Sequence, residues 1–131
     1  MNKIKIISLL VRDYDEAINF YREKLGFELL EDAAFGDSRW VTLALPDQKD
    51  VTIALELAKT DEDRALVGRQ GGSFAFLGID TTDCMSDYHR MKVLNVKFQG
   101  EPTSGPWGTG VLFEDLYGNK IFMSQEPQIG G

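Results

Sequence analysis

Few residues in this chain have the chemistry to hold a metal or move a proton. There is one histidine, one cysteine and a scatter of carboxylates. His89 stands between Tyr88 and Arg90. Helical spacing sets it off the apolar stripe of Cys84 and Met91, on a helix expected to cover the outer face of a sheet. A general base must reach its substrate, so Ser/His/Asp and Cys/His catalysis find no support here. Cys84 alone builds neither a disulfide framework nor a thiolate metal site, and a reducing cytosol fits it best. Glu56, in Leu55-Glu56-Leu57, reads either as an acid walled by aromatic rings with a raised pKa or as a strand-end carboxylate in water. The glycines from Gly105 to Gly110 lack the spacing and strand-to-helix setting of a phosphate loop.

The balance of 14 basic against 21 acidic residues gives a net charge of −7, which disfavours nucleic acid and anionic membrane surfaces as partners. At 131 residues the expectation is one domain, with an ordinary hydrophobic share of 43%. The opening run Ile4 to Val11 imitates a short signal peptide, but Arg12-Asp13 ends it with no cleavage site, and it reads as a strand. No run approaches the roughly 20 apolar residues of a membrane helix. Disorder is expected only in the tail, 127–131.

The elements that must position these groups repeat. After the first strand, Asp13 and Glu16 form a cap and its partner for a helix whose stripe is Ala17, Phe20, Tyr21, Lys24 and Leu25, closed by Gly26. Strands follow at Phe27 to Leu30, Arg39 to Leu45 and Val51 to Leu57, with 46–50 as a hairpin loop. A charged stretch with a short helix around Asp61 to Val67 comes next. The order then recurs: a strand at Phe74 to Ile79, a helix capped by Asp83 with the stripe Cys84, Tyr88, Met91 and Leu94, and strands at Val96 to Phe98, Gly108 to Glu114 and Lys120 to Gln125. Residues 102–108 read as a Pro/Gly/Ser loop, and Tyr117-Gly118-Asn119 as the turn of a hairpin. Thirteen positions separate Asp13 from Gly26 and twelve separate Asp83 from Asn95. The expectation is an α+β fold: two βαβββ modules, 1–60 and 73–126, joined by a linker at 61–72 and forming a curved mixed sheet around a cleft.

Strand alternation assigns Ile7, Leu9, Val11, Val41, Leu43 and Leu45 to the core and turns their neighbours the other way. Ser8, Trp40, Thr42, Glu56, Phe76, Phe122 and Ser124 would then line a trough with aromatic and small polar groups, suited to a partly apolar ligand. Trp107, in its Pro/Gly loop, is either a stacking lid or an anchor for the turn. The competing reading is that these aromatics pack together and fill the trough, leaving an interaction domain.

Several stretches together resemble one family. They are Val11-Arg12-Asp13-Tyr14-Asp15-Glu16-Ala17, Phe20-Tyr21-Arg22-Glu23-Lys24-Leu25-Gly26-Phe27, Glu101-Pro102 with Pro106-Trp107-Gly108, and Phe113-Glu114-Asp115-Leu116-Tyr117-Gly118-Asn119. The family is the vicinal oxygen chelate superfamily of glyoxalase, bleomycin-resistance and extradiol dioxygenase proteins. The resemblance implies paired βαβββ modules around a cleft, commonly a homodimer, and in the enzymes a divalent metal held by His and Glu. Where those ligands typically stand, this chain has Ile6, Phe76 (or Phe74 with a two-residue offset) and Phe122, and only Glu56 is left to coordinate. No metal or other cofactor is expected. The leading reading is metal-independent binding of a small, partly apolar or aromatic molecule, as in bleomycin-resistance-like sequestration or sensing. The alternative is a metal-dependent glyoxalase-like lyase or dioxygenase.

Overall fold

In the computed structural model, which describes residues 1–127, the chain divides into two compact units at the Gln70/Gly71 boundary. The expected disordered tail lies outside the described residues from position 128 onward.

The first unit runs β1 (Ile6–Val11), α1 (Tyr14–Asn19), a π-helical turn (Phe20–Lys24), β2 (Glu28–Phe35), β3 (Ser38–Leu45), β4 (Gln48–Leu57) and α2 (Asp61–Leu66). Its sheet has the order β1-β4-β3-β2, with β1 parallel to β4 and the other pairs antiparallel. The cap at Asp13 forms as expected, its carboxylate accepting from the Glu16 N–H at 2.9 Å. The helix differs from a plain α-helix to Gly26, because it widens at Phe20. Consecutive Phe20 and Tyr21 are both buried and meet edge to face at 5.7 Å, and the wider turn accommodates the two adjacent rings. Tyr14 and Ile18 join the buried stripe, while Lys24 and Leu25 reach only intermediate burial. Gly26, at φ +80°, takes the left-handed conformation that ends the segment.

Leu9, Val11, Val41 and Leu43 are buried as the alternation predicts, together with Ile53, Leu55, Ala17 and Tyr21. Ile7 and Leu45 are only half-buried, the β3–β4 register shifting between Leu43 and Leu45, and Thr42, Ala44 and Ala54 of the opposite parity are buried as well. Each of the buried Leu, Val and Ile side chains contributes roughly 1.5–3 kcal/mol by leaving water. Arg39 fastens helix to sheet. Its guanidinium grips Asp32 on β2 at 2.7 and 3.1 Å, reaches Asp15 on α1 at 3.0 Å, and lies over the Tyr14 ring at 5.1 Å. The edge strand β1 is closed by a side chain instead of a further strand of its sheet. The Gln70 amide donates to the Ser8 carbonyl at 2.8 Å and accepts from the Leu10 N–H at 3.4 Å.

The second unit repeats the plan: β5 (Ala75–Asp80), α3 (Cys84–Val93), β6 (Lys97–Gly105), β7 (Gly108–Glu114) and β8 (Lys120–Gln125), in the sheet order β5-β8-β7-β6 with β5 parallel to β8. Asp83 caps α3 by accepting from the Ser86 N–H at 3.0 Å, and the Cys84 N–H donates to Gln125 of β8 at 2.8 Å. Cys84, Tyr88 and Met91 are buried, and Tyr88, Phe98 and Phe113 form a run of ring contacts at 4.7 and 5.6 Å. Leu94 departs from the expected stripe: it sits at the C-cap, 37% exposed, where the chain leaves the helix through Asn95 at φ +66°.

The expected loop at 102–108 is largely strand. β6 continues to Gly105 through an irregularity between Gln99 and Thr103, where Gly100 has φ +79° and Pro102 interrupts the donors. Only Pro106 and Trp107 remain to turn the chain, since Gly105 already pairs with Gly108. Ser104 and Thr109 hydroxyls bond across the pair at 2.8 Å.

Candidate functional site

Four of the expected ligand residues lie in the first unit and four in the second. On β1, β4 and β3 the register places Ser8 beside Ala54 and Ala54 beside Thr42, with Glu31 of β2 beside Thr42 in turn. Glu31, Thr42, Ala54 and Ser8 therefore form one row across the sheet, on the face opposite Leu43 and Ile53. Thr42 is buried, and its hydroxyl donates to Glu31 at 3.2 Å. Trp40 pairs with Ala33, and Glu56 pairs with Leu10, on strands that carry the same face. Trp40 is half-buried and Glu56 exposed, which agrees with the reading of Glu56 as a carboxylate in water. Glu31 was not anticipated. The bulge between Leu29 and Glu31 shifts the alternation of β2, so counting along the sequence could not assign its face.

In the second unit the corresponding face is built on β8 and β7. Phe122 stands between Gly78 and Leu112, and Ser124 stands between Asp80 and Gly110, which pairs onward with Thr103. Ile121 and Met123 turn the other way into the core, as alternation predicts. Trp107 and Phe122 come together, with ring centroids 6.2 Å apart and planes at 43°. Both lie over glycine. A Cβ on Gly110 would come within 2.5 Å of Phe122 Cζ and 3.1 Å of Trp107 Cη2, and one on Gly105 would come within 2.7 Å of Trp107 Nε1. The indole thus lies across the β6–β7 hairpin beside the Phe122 ring and stays 52% exposed. It is both an anchor packed on its own turn and an aromatic surface open to a partner ring.

Phe76 is less simply placed. The β5–β8 register slips between Ala75 and Leu77, so Phe76 sits in an irregularity and its face does not follow from counting. Phe74 lies outside β5 and is 77% exposed. His89 is exposed on α3, its ring 5.3 Å from that of Tyr88. The Cys84 thiol is fully buried, and its pKa is pushed above the usual thiol value by burial first and then by the charges of Asp87 and Asp83. That makes it an inert core group. A separate hollow of about 450 Å³, lined by Arg22, Glu23, Phe27, Glu28 and Leu29, contains none of the expected residues.

Ile6, Phe76 and Phe122 offer no donor atoms. Among the described residues, no three or more His, Cys, Asp or Glu are grouped so as to hold a metal ion. Also among them, no helix is long and apolar enough to cross a membrane. The side chains therefore do not fit the divalent centre that the fold carries in its enzymes.

The profile of the Glyoxalase/Bleomycin resistance protein/Dioxygenase superfamily matches residues 3–123. A relative from Shewanella frigidimarina, described as an uncharacterized protein, is 44% identical over 115 residues, covering 86% of this chain and 85% of its own. Among solved structures, UcmS2 superposes with a TM-score of 0.83 at 28% identity, covering 95% of this chain and 98% of its own. TnmS3, an antibiotic binding protein from Streptomyces sp. CB03234, superposes with a TM-score of 0.78 at 28% identity, covering 97% and 98%.

Proposed function

This chain belongs to the Glyoxalase/Bleomycin resistance protein/Dioxygenase superfamily, and we propose that it binds a small, partly apolar or aromatic organic molecule without a metal, sequestering or sensing it. The observation that carries this reading is the Trp107–Phe122 pair. Two large rings lie side by side on a glycine floor, and the indole stays half exposed where a monomeric fold gains by burying it. Ser124 and Thr103 stand in the adjoining row to bond polar substituents, and Trp40, Ser8 and Glu56 give the first unit's sheet a similar mixture, with Thr42 buried in the row between them. Two further points support it: TnmS3 is an antibiotic binding protein of the same fold, and Ile6, Phe122 and Phe76 or Phe74, which the resemblance aligns with the family's metal ligands, have no donor atoms.

The test is a titration of the purified protein with a panel of aromatic and aliphatic amines, acids and lactones. It is followed by tryptophan fluorescence and by ligand-observed NMR, with and without added Mn²⁺, Ni²⁺ or Zn²⁺. Saturable binding of at least one aromatic member, with Kd well below about 1 mM and unaffected by chelator, is the expected result. Binding or turnover that appears only on adding a divalent metal overturns the reading.

A further inference from the structure

Gly110 sits inside β7 and Gly105 ends β6. Neither is in the left-handed region, unlike Gly108 at φ +126°, whose Cβ would strike the Gln125 carbonyl oxygen. Glycine within a strand weakens it and marks a place where something approaches the backbone closely. Here the approaching groups are rings. Gly110 pairs with Ser124, and the Phe122 ring two residues away leans diagonally over it. Gly105 closes the hairpin opposite Gly108 and lies under the indole nitrogen of Trp107.

We infer that Gly105 and Gly110 are positioning residues for the proposed ligand surface: by carrying no side chain they let Trp107 and Phe122 lie down on the sheet, and this pose selects a flat aromatic ring over a globular apolar group of similar size. The inference rests on the binding reading above and deepens it by naming the recognised moiety. An alanine at 110 fits the strand's backbone, but its methyl group must displace Phe122 and crowd the indole edge. An alanine at 105 meets the indole alone. At 110 both rings, and at 105 the indole, are pushed away from the sheet, and a planar partner loses face contact while a cage-shaped one loses little.

The experiment uses two cationic probes, so that charge is held constant: planar tricyclic proflavine and the cage 1-aminoadamantane, at high salt to screen the chain's net charge of −7. The protein is labelled with 5-fluorotryptophan. Its two tryptophans give two fluorine resonances, and Trp107→Phe assigns them. The unaltered protein is expected to prefer proflavine. Gly110→Ala should shift the Trp107 resonance and cut that preference by about tenfold or more, with the fold retained by circular dichroism. In a Phe122→Ala background the same glycine change should shift the resonance less, because only the contact with the indole edge remains. Gly105→Ala supplies the second variant if Gly110→Ala does not fold. A folded glycine variant with unchanged preference overturns this inference alone, as does an equal affinity of the unaltered protein for both probes. Absence of binding by either probe to the unaltered protein overturns the binding reading and this inference with it.

Discussion

Asn119 binds the Asp115 carboxylate twice, its backbone N–H donating to Oδ1 and its side-chain amide to Oδ2, each at 2.9 Å, and its own carbonyl accepts from the Asp115 N–H at 2.8 Å. The Tyr117 N–H adds a further bond to Oδ1 at 2.9 Å. Asp115 and Asn119 are 6% and 1% exposed, so the carboxylate that organises the β7–β8 turn is buried and satisfied by backbone and amide donors. Gly118, at φ +94°, takes the one turn position that demands glycine.

Asn119→Ala is therefore expected to destabilise the protein by about 1–3 kcal/mol, because it leaves one buried carboxylate oxygen short of a donor. Denaturant melts of the variant and the unaltered protein measure it. A loss near zero would mean that water replaces the amide.

The Asp32 carboxyl is held below the usual carboxylate value, chiefly by its hydrogen bonds from Arg39 and in smaller part by that charge. A lowered folded pKa means that this stabilisation is full above the unfolded value of 3.8 and disappears as pH falls through the lower folded value. Asp32→Asn should accordingly cost up to about 1 kcal/mol at neutral pH, a modest figure because the pair is one-third exposed, and almost nothing in strong acid. Urea midpoints across the acid range check the convergence. Parallel curves would show that the pair contributes no pH-dependent stability.

Burial and two nearby carboxylates keep the Cys84 thiol protonated. Iodoacetamide should label it slowly in the native protein at neutral pH and rapidly in denaturant, the ratio being read by mass spectrometry. Rapid native labelling would mean that the start of α3 opens readily.

Protein purified without added chelator should retain no stoichiometric Zn, Ni, Mn or Fe through dialysis, because among the described residues no three or more His, Cys, Asp or Glu are grouped to hold such an ion. Elemental analysis giving about one equivalent per chain would contradict this.

His89→Ala should leave ligand binding intact and shift stability by less than about 0.5 kcal/mol, since the side chain is exposed on α3. Phe122→Ala should weaken binding of an aromatic ligand by about tenfold or more, through loss of the ring beside Trp107. Isothermal titration of the two variants with one ligand separates them. The reverse ranking would place the site on the other side of the second sheet.

Local signals in the sequence were sufficient for the repeated βαβββ order. Asp13 and Asp83 cap their helices, Gly26 and Asn95 end them with positive φ, and the alternation at 121–124 puts Ile121 and Met123 inside. Each of these depends on a residue's own backbone preference or on a period of two, which neighbours along the chain fully specify. The register of four strand pairs was decided only in the folded state, the β3–β4 shift at Leu43/Leu45 among them. The bulge at Leu29/Glu31 brought Glu31 to Thr42, the slip at Ala75/Leu77 removed Phe76 from simple counting, and the irregularity at Gln99/Thr103 turned an expected loop into strand that carries Trp107 over Gly105 and Gly110. An inserted residue in one strand is tolerated or not according to what its partner strand and the rings above it can accept. That balance is struck between segments far apart in sequence, and so it belongs to tertiary packing.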